Sequence, residues 1–121
     1  MRYLTDYYIR TALSRGKTVE QFLGGGMLGE ERTIRYLALS PNGDRFSVTL
    51  YEHLDEGSES FLDLYDFSYA SPDDDPPQHS FDTIEEALAH SEATYGAVAT
   101  RWANQFVIQD DYADYLRTNV A

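Results

Sequence analysis

Nine carboxylates between positions 52 and 75 are the side chains best suited to chemistry: Glu52, Asp55, Glu56, Glu59, Asp63, Asp66, Asp73, Asp74 and Asp75. Acids in such number can do three things. A close pair can share a proton and act as acid and base. A converging set can hold a hard divalent cation. A solvated set can steer and orient a cationic partner. No lysine or arginine lies between Phe46 and Thr100, a stretch with 13 acids. Positions 1–45 carry +2 and positions 46–121 carry −14, within a chain of net charge −12. A field of one sign speaks to partners and association rather than to fold.

The other reactive types are sparse or badly spaced. There are no cysteines, so thiol nucleophiles, Cys-zinc sites and disulfides are excluded. His53, His79 and His90 lack a ligand spacing such as H-x-x-x-H. Serine, histidine and aspartate are present without a G-x-S-x-G elbow. Gly24-Gly25-Gly26-Met27-Leu28-Gly29 matches G-x-G-x-x-G in letters. Pyrophosphate binding requires those glycines to follow a strand and open a helix. Here the expected order is short helix, then strand, with Glu30 and Glu31 adjacent, so a flexible linker is expected. Asp73-Asp74-Asp75 lacks the glycine and distal glutamate of a calcium loop, and Pro72, Pro76 and Pro77 suggest a stiff solvated loop. No catalytic residue, metal ligand or cofactor site is assigned.

The elements that must position the acids follow from pattern. At 121 residues with 42% apolar content, the chain suits a single α+β domain over 1–121. Residues 3–14 fit either a strand or a helix, with Tyr7-Tyr8-Ile9 tilting the balance to strand. Thr18 caps a short helix over 19–23. Residues 32–40 and 45–54 form a hairpin about Asn42-Gly43. That loop pairs Leu39 with Phe46, Leu37 with Val48 and Arg35 with Leu50, all on a core face. Ile34, Tyr36, Thr49 and Tyr51 share the other face, either covered by helices or open to a partner. A third strand, 61–69, pairs Leu54 with Phe61 and sets Glu52 across from Asp63, at a frayed, solvated sheet end. Residues 70–80 form a loop. Thr83 and Glu86 make a capping box for a helix that Gly96 stops. A helical turn near 101–104 and a last helix over 111–118 complete a three- to four-stranded antiparallel meander, with the C-terminal helices packed on one sheet face.

The composition favours a small acidic protein-binding module. Such a protein would dock a basic protein partner through its carboxylate-rich loops, in the manner of an immunity-type, antitoxin-type or DNA-mimic inhibitor. The nine acids are the expected contacts, with Tyr36 and Tyr51 as a secondary aromatic face. Two alternatives stand beside it: a small carboxylate-dependent enzyme or divalent-metal-binding protein, and an accessory domain whose acids only keep it in solution. Nucleic acid and anionic membrane are disfavoured as partners, because each phosphate contact needs a cation. A cytoplasmic monomer or homodimer is expected.

Overall fold

The structure, a computed structural model, describes residues 2–118. It is an α+β fold with the element order α1 (Asp6–Ser14), β1 (Val19–Leu28), β2 (Glu31–Asn42), β3 (Arg45–Leu54), a short 3-10 turn (Leu64–Asp66), β4 (Gln78–Phe81), α2 (Ile84–Tyr95), β5 (Ala103–Asn104) and α3 (Ile108–Thr118). The strands form one antiparallel sheet in the order β4-β3-β2-β1-β5. The sheet has five strands, against the three or four expected. No helix among the described residues is long and apolar enough to cross a membrane.

The β2–β3 hairpin is the organising unit. Its two-residue loop is Gly43-Asp44, since Asn42 already pairs with Arg45. Glycine leads that loop with φ of 62°, a conformation that suits it in a tight hairpin. The turn therefore sits one residue beyond the expected Asn42-Gly43. Leu39 pairs with Val48, Leu37 with Leu50 and Arg35 with Glu52. That displaces the register by two residues, so every side chain stays on its expected face.

Both faces of the hairpin are covered. Leu37, Leu39 and Val48 bury against Ile9 and Leu13 of α1, Ala87 of α2, and Trp102. Ile34 and Tyr36 bury on the other side against Leu64, Phe67, and Ile108 and Tyr112 of α3. The helices α2 and α3 thus lie on opposite faces, not together on one.

Four local expectations are corrected. Residues 6–14 are helix, not strand: the Thr5 side chain caps Tyr8 N–H, and Ile9 and Leu13 are buried. Tyr7 and Tyr8, which favour a strand by propensity, point outward at 70% and 56% exposure. Positions 19–23 and the glycine run form strand β1, neither helix nor linker. Val19 and Leu23 join one core, while Phe22 joins the other, so two-sided burial overrides helical spacing. Residues 61–69 do not form a strand. Leu62, Leu64, Tyr65 and Phe67 all pack on the second core, a clustering that a strand with alternating sides does not permit. Residues 103–104 are β5 rather than helix. The Thr83 cap is as expected, its Oγ1 accepting from Glu86 N–H at 3.1 Å, and Gly96 ends α2.

The outer edge of β3 is closed in two pieces. Leu54 N–H donates to Ser68 O at 2.8 Å, and Ala70 N–H donates to Glu52 O at 3.1 Å. After a loop, Leu50 N–H donates to Pro77 O at 3.0 Å and β4 begins. Part of the expected 70–80 loop is therefore strand, and the acidic triplet occupies the break.

Gly25 leaves room for the Tyr115 ring of α3. A Cβ there would lie 2.1 Å from the Tyr115 hydroxyl of α3. Gly25→Ala is expected to destabilise the fold by about 1–3 kcal/mol, the usual cost of overpacking. Urea unfolding should show a lower midpoint with an unchanged slope.

Candidate functional site

The nine acids divide by what holds them. Glu52 is half-buried and accepts from Thr33 Oγ1 at 2.6 Å. Asp55, also half-buried, accepts from the Tyr112 hydroxyl, which ties the end of β3 to α3. Glu56 accepts from Ser68 N–H and Oγ, which pins the 55–60 loop to the segment returning along β3. These three have structural work. Glu59, Asp63, Asp66, Asp73, Asp74 and Asp75 are exposed. The ion pairs among the described residues use Asp6, Asp82, Glu85, Asp111 and Asp114, and none of the nine.

The backbone links at Leu54–Ser68 and Ala70–Glu52 bring both acidic loops to the C-terminal half of β3. A cavity of about 220 Å³ opens at the break between the two edge pieces. Glu52, Asp74 and Asp75 line it, together with Leu50, Tyr69 and Pro77. Three carboxylates over apolar and aromatic walls match the needs of a lysine or arginine side chain. Its stem lies on apolar surface while its head meets charge.

The expected Glu52–Asp63 opposition is absent. Glu52 pairs across the ladder with Arg35, on the β2 side, while Asp63 precedes the 3-10 turn. The two carboxyls therefore do not form an acid–base dyad. Among the described residues, no group of three or more His, Cys, Asp or Glu side chains is arranged to hold a metal ion. Comparisons with protein-family models, with curated proteins and with solved structures find no match to this chain.

The aromatic face is not open to a partner. Tyr36 is 4% exposed and stacks on a half-buried Tyr51, their ring centroids 5.1 Å apart. Residues 61–69 and α3 cover that face. Beneath them lies a polar network that the sequence did not reveal. His53 is 1% exposed. Its Nδ1 lies 2.9 Å from Phe67 O, so Nδ1 carries the proton, and Nε2 accepts from the Tyr36 hydroxyl at 3.2 Å. Glu20 is also buried, and one of its oxygens accepts from the Tyr65 hydroxyl at 2.6 Å and from Phe106 N–H at 2.9 Å. Phe106 is held there at φ of 76°, a conformation uncommon for a non-glycine residue. The alternation of β1 was the only available signal for Glu20, and the helical reading of 19–23 hid it.

Burial pushes the His53 pKa down and the Glu20 pKa up. The two act on stability with opposite sign as pH changes. Above the ordinary imidazole value of about 6.5, His53 is neutral in folded and unfolded chains alike. As pH falls below it, the unfolded chain takes up the proton first and stability drops, by at most about 1.4 kcal/mol per pH unit. His53→Gln should shrink the loss of stability measured by urea unfolding between pH 7 and 5. For Glu20 the folded chain holds the proton more tightly, so stability is lost as pH rises from the ordinary carboxylate range through the raised value. Glu20→Gln keeps an oxygen to accept both bonds, and should gain stability relative to wild type as pH increases.

Proposed function

We propose that the protein is an acidic docking module, and that a basic protein binds at the C-terminal half of β3. The observation that carries this reading is the set of six exposed acids that enter no ion pair among the described residues, beside a carboxylate-lined cavity of side-chain size. Several bases are held by other acids, such as Arg10 by Asp6 and Glu85 and Arg2 by Asp111 and Asp114. Between Phe46 and Thr100 there is no base at all, so the acids of that stretch form a field of one sign. It speeds encounter with a cationic surface, and the cavity admits one lysine or arginine as an anchor. Inhibition of a basic enzyme or toxin is one use of such a surface. The enzymatic alternative has no comparable support, since its dyad does not form.

The partner is to be captured at low salt and its association measured with purified components. The association rate should fall at least about tenfold as the Debye length shrinks from about 30 Å to 8 Å. Asp74→Asn with Asp75→Asn should slow association and speed dissociation, while thermal stability is unchanged. A salt-insensitive rate, or unchanged kinetics in the double variant, would overturn the proposal.

A further inference from the structure

The tertiary fold brings two of the three histidines together. His79 lies in β4 opposite Val48, and Val48 belongs to the core that α2 covers. His90 lies on α2. Their ring centroids are 4.9 Å apart with the planes inclined at 57°. His90 Nδ1 is 3.3 Å from Thr94 Oγ1, one turn along the helix. His90 Nε2 is shielded from solvent and has no hydrogen-bond partner among the described residues. Buried polar atoms are ordinarily satisfied, and an exception calls for a physical reason. Phe81 and Tyr95 flank the His90 ring at 4.9 and 5.7 Å and offer it no polar atom in return.

The separation has a chemical meaning. A metal ion binds imidazole nitrogen at about 2.0–2.1 Å, in line with the ring. Two imidazoles sharing one ion at angles between square and tetrahedral then have centroids about 4.5–5.2 Å apart. The His79–His90 distance falls inside that interval. His79 is exposed, so an ion meets its ring first, and the shielded Nε2 of His90 is reached through a side-chain rearrangement.

We infer that His79 and His90 form a two-histidine site for a borderline transition-metal ion, bridging strand β4 and helix α2. Neutral imidazoles suit Cu²⁺, Ni²⁺ and Zn²⁺, in an order led by Cu²⁺, and suit Mg²⁺ and Ca²⁺ poorly. No third His, Cys, Asp or Glu completes the set among the described residues. Water fills the remaining positions, so the site is open to a further ligand. The net charge of −12 raises the local concentration of cations around the molecule. Both rings must be neutral to bind.

Calorimetry with Cu²⁺ on the whole protein tests the site. One saturable equivalent is expected, weakened at least about tenfold by His79→Gln and by His90→Gln separately, since even outer-sphere losses cost that much. Mg²⁺ should give no heat of binding at the same concentrations. Because His90 is half-buried against Phe81 and Tyr95, its variant is paired with a measurement on the wild-type chain. Substoichiometric Cu²⁺ should broaden the imidazole NMR signals of His79 and His90 before those of His53. Absence of a saturable equivalent, retention of binding in the His79 variant, or uniform broadening of all three histidines would overturn the site and leave only adventitious carboxylate binding.

Discussion

The β2–β3 ladder, which runs from Thr33–Leu54 to Asn42–Arg45, is the constraint on which the rest of the molecule depends. Its strands present apolar side chains on both faces. Leu37, Leu39 and Val48 need cover on one side, and Ile34 and Tyr36 need it on the other. A two-layer domain cannot supply that. The chain therefore divides its helices, with α1 and α2 on one face, and α3 with the 61–69 segment on the other. Removing this apolar surface from water is the main favourable contribution to folding, at roughly 25 cal/mol per Å². The same requirement draws residues 19–28 into the sheet, because β1 supplies apolar side chains to both cores.

The polar interior follows from the same division. Aromatic and ionisable side chains cover the second face where a purely aliphatic lid is missing. His53 and Glu20 tie the strands to the backbone of Phe67 and Phe106, and Glu20 also accepts from the Tyr65 hydroxyl. Buried polar groups of this kind need complete satisfaction, and each of these has its partners. The acids at the edge of β3 are organised differently. Strand-edge backbone bonds and the carboxylates of Glu52, Asp55 and Glu56 anchor the segment, while the other six carboxylates face solvent. Those six are left available for contact.

Particular elements show where pattern carried structural information. The two faces of the hairpin were readable because strand alternation survives a two-residue change of register. The cap at Thr83 and the stop at Gly96 were readable because both act within one turn of helix. Residues 6–14 misled because Tyr7 and Tyr8, favourable in strands, face water on a helix. Residues 61–69 misled because their hydrophobic pattern is that of a lid folded over a face. Alternation alone does not distinguish a strand from a segment packed on one.

The sequence by itself determined the α+β class, which residues share each face of the hairpin, the α2 helix and the concentration of negative charge. All of these depend on neighbours along the chain or on composition. Only the tertiary structure decided which carboxylates remain unpaired, that Glu52 lies across from Arg35 and not Asp63, and that Tyr36 is covered. It also decided that His79 meets His90. Those facts depend on which distant segments share a sheet edge or a face. Burial of the hairpin on both sides sets that arrangement, and no local pattern encodes it.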